Sequence, residues 1–189
     1  MSKIFYTADT HFCHSNILHL NNRPFCDKDE MNRVLIENWN NTVGKDDLVI
    51  HGGDVIFNGN NTSQARKILN ELNGKIILVK GNHDGKMLKD SSLRKRFEGI
   101  YDTYEVHDGG DTIIVSHMPL LEWNKMYRGA KLFYGHIHNN IDNDTYHIMA
   151  KYRPEAYNIG VDITSYKPCT KEEVISYNKA FQVKNPPRI

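Results

Sequence analysis

Metal-capable side chains follow several apolar segments of this 189-residue chain, at the points where those segments end. The sequence Gly-Asn-His-Asp at 81–84 follows the apolar run at 76–79 after a single lysine. A β-branched run of this length predicts a buried strand, and the glycine marks its end. Because open α/β sheets place their active sites at the loops after their strands, Asn82, His83 and Asp84 are expected to lie in a functional site.

The same arrangement recurs at four other predicted strand ends. The candidate ligands at the five ends are Asp9, His11, Asp54, Asn82, His117, His136 and His138. Two carboxylates, one amide oxygen and four imidazoles are too many for one tetrahedral zinc site and suit two ions that share a carboxylate. A mixed oxygen and nitrogen set favours Mn²⁺, with Fe²⁺, Ni²⁺ or Zn²⁺ as alternatives, over Ca²⁺ or Mg²⁺, which prefer oxygen alone.

The spacing of these residues predicts how they share the two ions. Asp9-x-His11 and His136-x-His138 each place two side chains on one face of an extended segment, and Asp54 is the best candidate for a bridging carboxylate. Two ions about 3.5–4 Å apart bind phosphate oxygens and activate a bridging hydroxide. His83 is the expected acid for the leaving group, with Asp84 or Asp54 beside it to orient its ring.

Composition limits the classes of partner and the setting. The chain is 39% hydrophobic and 25% charged, with a formal net charge of +1. This balance argues against binding duplex nucleic acid by bulk charge but allows a small nucleotide as substrate. The three cysteines lack the spacing of a disulfide framework, and the sequence shows neither an apolar signal segment nor an apolar run of membrane length. These features predict a reduced, cytoplasmic protein. The chain is expected to form one domain over residues 1–189, and its oligomeric state stays open.

Capping patterns predict three helices. Asp27 with Glu30 predicts a helix to about Asn41, and Thr170 with Glu173 predicts a final helix to about Lys179. A third helix is expected at 62–72, after a loop at 58–61. With the intervening apolar runs, periodicity alone supports only an α/β fold.

The order of the motifs resembles the calcineurin-like metallophosphoesterases, in particular a subgroup of small bacterial and phage phosphoesterases. Asp-x-His, Gly-Asp, Gly-Asn-His-Asp, a strand-ending His and Gly-His-x-His follow one another between residues 9 and 138. The resemblance implies a four-layer α/β/β/α sandwich of two mixed β-sheets. It also implies one ion held by Asp9, His11, Asp54 and His138, and a second held by Asp54, Asn82, His117 and His136, with His83 beside the scissile phosphate.

Two departures from the family pattern bear on activity. Cys13 stands where a small residue, commonly glycine, is expected. The segment after Gly53-Asp54 lacks the arginine that the serine/threonine phosphatases of the superfamily use for phosphate, which argues against protein phosphatase activity.

Several residues outside the ligand set have two competing interpretations. His14, Asn16 and Arg23 either form a substrate rim, in which Arg23 grips a phosphate oxygen, or belong to a capped turn with a solvated arginine. Four further residues are expected to be mainly structural. His51 is expected to be a buried strand histidine, Asn158 and Asp162 to lie behind the site or in a turn, and Trp123 to have a packing role. Tyr127 and Arg128, which follow Trp123, could instead stack a base.

The function expected from these features is metal-dependent hydrolysis of a phosphoester by a metal-bridging hydroxide, with His83 as the acid. A small phosphodiester, such as a nucleotide or cyclic nucleotide, is favoured over a monoester because the compact chain carries no inserted cap. The alternatives are a phosphomonoesterase acting on a small metabolite and a non-catalytic metal-binding scaffold of the same fold. The presence of His83 with all seven candidate ligands argues against the scaffold.

Overall fold

The computed structural model describes residues 2–57 and 62–188, so the loop predicted at 58–61 lies outside the described residues. The strands are β1 (Ile4–Thr7), β2 (Leu48–His51), β3 (Lys75–Val79), β4 (Phe97–Tyr101), β5 (Thr103–Asp108), β6 (Asp111–Ser116), β7 (Lys131–Tyr134) and β8 (Ala156–Asn158). The α-helices are α1 (Ile17–Leu20), α2 (Lys28–Thr42), α3 (Thr62–Glu71), α4 (Ser91–Arg94), α5 (Asp144–Tyr152) and α6 (Lys171–Lys184). Short 3₁₀ turns occupy Met87–Lys89 and Met126–Arg128.

The strands form two four-stranded sheets, in the orders β1-β2-β3-β4 and β5-β6-β7-β8. In the first sheet all neighbouring strands are parallel. The second sheet is mixed, because β5 and β6 form an antiparallel hairpin and the remaining pairs are parallel. In the register of the first sheet Thr7 pairs with His51, and His51 pairs with Leu78. The loops that follow β1, β2 and β3 therefore leave the sheet at the same edge.

Apolar side chains fill the spaces between four layers. The cluster between the sheets contains Tyr6, Ile50, Val79, Val115 and Phe133. On the outer face of the first sheet, apolar residues pack against Leu35 and Trp39 of α2 and Ile68 and Leu69 of α3. On the outer face of the second sheet, Leu132 and Tyr134 lie in one cluster with Tyr146 and Met149 of α5. The expected four-layer sandwich is confirmed, with the first sheet wholly parallel rather than mixed.

The predicted helix caps are present in two forms. Thr170 and Glu173 form the complete capping box at the start of α6. At α2 the Asp27 carboxylate accepts hydrogen bonds from the backbone amides of Asp29 and Glu30, at 2.9 and 2.8 Å. The Glu30 carboxylate accepts from the backbone amide of Cys26 instead of that of Asp27, so this cap is half of a capping box. Within the described residues no helix is long and apolar enough to span a membrane.

Candidate metal centre

Five of the seven candidate ligands have a left-handed backbone. The φ angles are 55° at Asp9, 48° at His11, 57° at Asp54, 69° at His136 and 52° at His138. Non-glycine residues rarely adopt this conformation, and residues held in it cluster at active sites and ligand clamps. The chain turns sharply directly after β1, β2 and β7, and these turns direct the side chains into one site.

Glycines allow the loops after β2 and β3 to approach each other closely. A Cβ atom on Gly81 would lie 2.1 Å from Asp54 Oδ1 and 2.4 Å from the Asp54 backbone nitrogen. A Cβ atom on Gly53, whose φ is 98°, would lie 2.5 Å from the Gly81 nitrogen. Only glycine fits at either position, so the Gly-Asp and Gly-Asn-His-Asp motifs owe their glycines to this contact.

The ligand atoms form two groups that share Asp9. Carboxylate or imidazole atoms of Asp9, His11 and His138 lie within 4.8 Å of one another, as do those of Asp9, Asp54 and His117. Asp54 lies between the groups, because its Oδ2 is 3.6 Å from His11 Nε2 and 3.4 Å from His117 Nε2. The Asp54 carboxylate therefore lies against ligand atoms of both groups.

Asn82 and His136 complete the side of the site nearest His117. Asn82 Oδ1 lies 2.8 Å from His117 Nε2 and 3.2 Å from His136 Nδ1. The backbone amide of His136 donates to Asp9 Oδ2 at 2.9 Å and so ties the loop after β7 to the loop after β1. The structure therefore brings all seven candidate ligands together at one edge of the two sheets.

The hydrogen-bonding capacity of these groups fits a bound cation. His117 Nδ1 donates to the Gly52 carbonyl at 2.9 Å, so the lone pair of Nε2 faces the oxygens of Asn82 and Asp54. In the described part of the chain, both ring nitrogens of His11 and Oδ1 of Asp9 are buried without a hydrogen-bond partner. Buried polar atoms rarely lack partners, and lone pairs that converge on one another are satisfied by a metal ion.

Burial controls the protonation of the site in the metal-free protein. Asp9 is fully buried, which raises its pKa to about 6. Burial lowers the pKa of His11 well below its ordinary value, and the neighbouring His138 and Arg23 lower it further. Burial opposes the charged form of His138, but Asp162 and Asp9 outweigh it and raise the pKa. At neutral pH these directions leave the carboxylate and the neutral His11 imidazole that a metal ion requires.

Asp84 holds the ligand loops together instead of orienting the His83 ring. Its carboxylate accepts hydrogen bonds from the backbone amides of Asp54, Val55 and Gly81, at 2.9, 2.9 and 2.8 Å. The expected partnership with His83 takes another form, since the backbone amide of His83 donates to Asp54 Oδ1 at 2.9 Å. The His83 imidazole is exposed, and its ring centre lies 5.6 Å from that of His11.

Arg23 does not face a substrate, contrary to the substrate-rim interpretation. Its guanidinium is fully buried and forms a bidentate pair with Asp162, with distances of 2.8 and 3.0 Å. It also donates to the backbone carbonyls of Thr10 and Asp9, at 3.0 and 2.7 Å. Because its donors are directed at these acceptors, Arg23 fixes the loop that carries Asp9. The alternative interpretation, a solvated arginine in a capped turn, is therefore also wrong.

Asp162 connects Arg23 to the candidate ligand His138. Its Oδ2 lies 2.8 Å from His138 Nδ1, so it fixes the ring and directs Nε2 toward Asp9 and His11. A carboxylate behind a metal-binding histidine commonly fixes its tautomer and raises its basicity. Asn158 supports the same loop, since its side-chain amide donates to the His138 carbonyl at 2.8 Å. Sequence reasoning gave both residues a mainly structural role, and their position in the sequence next to a predicted strand was the available signal.

The remaining residues that the sequence singled out, His14, Asn16, Cys13 and Trp123, lie in different environments. His14 is buried and stacks on Phe57, with ring centres 3.7 Å apart, and burial lowers its pKa to about 4. Asn16 is exposed at the start of α1, where its side chain forms no capping hydrogen bond. Cys13 is half-buried, and Asn32 donates a long 3.6 Å hydrogen bond to its sulfur. Trp123 is buried and donates to the Ala130 carbonyl at 2.8 Å, which fits the packing role expected for it.

The sequence matches the profile of the calcineurin-like phosphoesterases over residues 2–154. The chain belongs to this family. It is 34% identical to an uncharacterized protein of Methanocaldococcus jannaschii over 176 residues, which cover 93% of this chain and 90% of that protein. It is also 26% identical to the gene 66 protein of Mycobacterium phage L5, over 74% of this chain and 79% of that protein.

A solved structure shares the fold of this phosphoesterase over almost its whole length. It is the crystal structure of a protein of unknown function from Aquifex aeolicus, with 27% sequence identity and a TM-score of 0.74. The match covers 93% of this chain and 99% of the Aquifex chain. Members of the family use divalent metals, and this chain has candidate ligands for them.

Proposed function

We propose that this phosphoesterase hydrolyses a small phosphodiester at a centre of two divalent metal ions, with Mn²⁺ as the first choice. The observation that carries the proposal is the position of Asp54 Oδ2, which lies 3.6 Å from His11 Nε2 and 3.4 Å from His117 Nε2. One carboxylate oxygen between two groups of potential metal ligands is the arrangement that two adjacent ions need.

The proposed ligand sets divide the site at Asp54. Asp9, His11, Asp54 and His138 would hold one ion, and Asp54, Asn82, His117 and His136 would hold the other. When bound, such ions polarise a phosphate ester and lower the pKa of a coordinated water. Hydrogen bonds hold three of the ligands in place before any ion binds. Asp162 positions the His138 ring, Asp84 positions the backbone of Asp54, and the Gly52 carbonyl positions the His117 ring.

His83 is the proposed general acid for the leaving group. Its imidazole is exposed, whereas its backbone amide donates to Asp54 at 2.9 Å, so the residue is held close to the ligands while its ring is open to solvent. A group in this position can donate a proton to the leaving oxygen as the ester bond breaks.

Two cavities flank Asn82 and support a substrate with two ester arms. One is lined by residues around His83, and the other by residues around His117. A phosphodiester has a substituent on each side of its phosphorus, whereas a monoester has one. The flanking cavities therefore favour a phosphodiesterase over a phosphatase.

The test compares bis-p-nitrophenyl phosphate with p-nitrophenyl phosphate as substrates. Metal-stripped protein is reloaded with Mn²⁺, Fe²⁺, Ni²⁺ or Zn²⁺, and bound metal is counted by elemental analysis. We expect two ions per chain and faster hydrolysis of the diester. In Asp54→Asn we expect loss of metal and of activity, whereas His83→Ala keeps its metal and loses activity about a hundredfold or more.

An exposed histidine supplies the matched control. His107 lies on β5, away from the candidate ligands, and His107→Ala is expected to retain metal and activity. Faster hydrolysis of the monoester would contradict the proposed phosphodiesterase activity and show that the protein is a phosphatase. Two bound ions without turnover of either ester would favour a non-catalytic metal-binding scaffold.

A further inference from the structure

A cavity of about 360 Å³ opens beside His83 and extends away from the candidate ligands. It is lined by Phe57, Asn82, His83, Gly85, Lys86 and Lys89. This volume lies at the small end of the range for sites that bind small molecules. Because Asn82 and His83 belong to both the cavity and the metal centre, a substrate bound to the metals would extend directly into the cavity.

The charge of this cavity comes from two lysines. Lys86 immediately precedes the 3₁₀ turn Met87–Lys89 and Lys89 ends it, and both lysines are exposed. Within the described residues neither side chain has an acidic partner, and no carboxylate lines the cavity. Two uncompensated ammonium groups beside a phosphoester site favour a second anion.

The cavity on the other side of Asn82 lacks this charge. Its volume is about 340 Å³, and its lining includes Lys80, Asp102 and Met118. Lys80 Nζ lies 2.7 Å from Asp102 Oδ1, so its charge is already neutralised, and Met118 is exposed. Of the two cavities, the one beside His83 is therefore suited to the more anionic arm of a substrate.

An aromatic ring forms a wall of the lysine-lined cavity. Phe57 stacks on the buried His14, with ring centres 3.7 Å apart and an angle of 27° between the ring planes. Its centre lies 5.5 Å from that of His83. The stack fixes the Phe57 ring, so its remaining surface offers a planar apolar contact for a ring such as a nucleobase.

We propose that this cavity binds the leaving arm of the substrate and that this arm carries both a planar ring and a second phosphate. The substrate class is then a nucleotide phosphodiester with an additional phosphate, recognised by Lys86, Lys89 and Phe57. This inference rests on the proposed hydrolysis. In that reaction one water is consumed, its oxygen forms a bond to phosphorus, and the bond from phosphorus to the leaving oxygen breaks. The water releases a proton to solvent, and solvent later returns a proton to His83. The leaving oxygen takes its proton from His83, so the leaving arm lies on the His83 side.

The experiment uses two nucleotides that differ by one phosphate, adenosine 5′-monophosphate and adenosine 3′,5′-bisphosphate. Their affinities for the 189-residue chain equilibrated with Mn²⁺ are measured by calorimetry. We expect the bisphosphate to bind at least about tenfold more tightly, since it gains hydrogen bonds to charged groups. The double variant Lys86→Gln/Lys89→Gln should abolish this preference. Phe57→Leu should weaken the binding of both nucleotides to the same extent.

Lys95→Gln provides the matched control. Lys95 is exposed, lies nine residues after Lys86 and does not line the cavity, so its variant should keep the preference for the bisphosphate. Equal affinity for both nucleotides in the wild type, or a preference that survives in the double lysine variant, would overturn the proposal. If Phe57→Leu leaves both affinities unchanged, the ring contact is wrong.

Hydrolysis of bis-p-nitrophenyl phosphate separates the two proposals. This diester lacks a second anion, so its hydrolysis by the wild type reports on the metal centre alone. Absence of turnover together with a lysine-dependent bisphosphate preference would reject the proposed hydrolysis and keep the nucleotide cavity. Turnover without that preference would keep the hydrolysis and reject the cavity.

Discussion

Among the single residues, His51 shows how a buried histidine differs from a metal ligand. The Thr10 hydroxyl donates to the Val55 carbonyl at 2.9 Å, so its oxygen accepts from His51 Nε2 at 3.1 Å. The backbone amide of Gly53 donates to His51 Nδ1 at 3.1 Å. Both ring nitrogens of the neutral imidazole are thus satisfied. Protonation of Nδ1 would place two N–H groups against each other, and burial lowers the pKa of His51 to about 3.

This arrangement predicts a dependence of stability on pH. In the unfolded chain His51 binds a proton below about pH 6.5, whereas in the folded protein it stays neutral down to about pH 3. Stability therefore falls as pH drops through this window, by up to about 1.4 kcal/mol per pH unit from this residue. We expect His51→Gln, with a donor and an acceptor but no titration, to reduce that slope in denaturant titrations between pH 4 and 6.

The exposed His107 supplies the control for this measurement. His107→Gln removes a histidine that is not buried, so the slope should stay as in the wild type. An unchanged slope in His51→Gln would show that His51 is not the group that takes up the proton on unfolding.

Residue types and spacing were enough to select the side chains that meet at the site, but not their partners. All seven candidate ligands lie together because each follows a strand, a feature that hydrophobic runs reveal. Arg23 was misplaced because its partner Asp162 lies 139 positions further along the chain. Asp84 was assigned to the adjacent His83, yet it binds amides of the loop that carries Asp54. Hydrogen bonds between distant segments leave no pattern in one sequence.

At the level of secondary-structure elements, predictability depended on local signals. The α6 helix has a capping box that can be recognised from two residues, and it forms as expected. The β4 strand was missed, because it lies at the edge of its sheet with one buried residue in five and follows a polar stretch. The α5 helix was also missed. Its Asn143 cap and the burial of Tyr146 and Met149 depend on packing against the second sheet.

The contact between the β2 and β3 loops yields a prediction for Gly81. A Cβ atom at this position would lie 2.1 Å from Asp54 Oδ1, so Gly81→Ala must push Asp54 and Asn82 apart. We expect Mn²⁺ affinity to fall by about tenfold to a hundredfold, as for the loss of groups that position metal ligands. Mn²⁺ titration followed by calorimetry measures the change.

Gly85, four residues later, is the matched position. Among the residues that the structure describes, a Cβ atom there has no neighbour within 4 Å, and the φ of Gly85 lies outside the left-handed region. Gly85→Ala should therefore retain the wild-type Mn²⁺ affinity and thermal stability. Equal affinity in Gly81→Ala and Gly85→Ala would contradict the requirement for glycine at the loop contact.

For the whole molecule, the candidate metal centre joins the two sheets. Asp9, Asp54 and Asn82 follow strands of the first sheet, and His117, His136 and His138 follow strands of the second. Each sheet alone carries an incomplete set, so metal binding stabilises the packing of one sheet on the other. The same gathering of buried carboxylates and histidines is unfavourable without a cation, because charged groups lose their hydration on burial.

The unfavourable free energy of burying these carboxylates and histidines together predicts how metal binding and pH jointly affect stability. In the metal-free protein the pKa of Asp9 is raised from 3.8 to about 6 by burial, so folding favours its protonated form. The resulting stability is fully present below pH 3.8 and is lost as pH rises through 6, a change of about 3 kcal/mol. Metal binding requires the carboxylate, so the opposite trend applies to the loaded protein.

We therefore expect the Tm difference between Mn²⁺-loaded and metal-free protein to increase as pH rises from 4 to 7, measured by scanning calorimetry at fixed Mn²⁺ concentration. Deprotonation of His138, whose pKa is also raised, acts in the same direction. In Asp9→Asn this carboxylate no longer titrates, so the metal-free variant should gain stability relative to the metal-free wild type as pH rises from 4 to 6. A Tm difference that stays constant over this range would show that burial of Asp9 does not couple folding to metal binding.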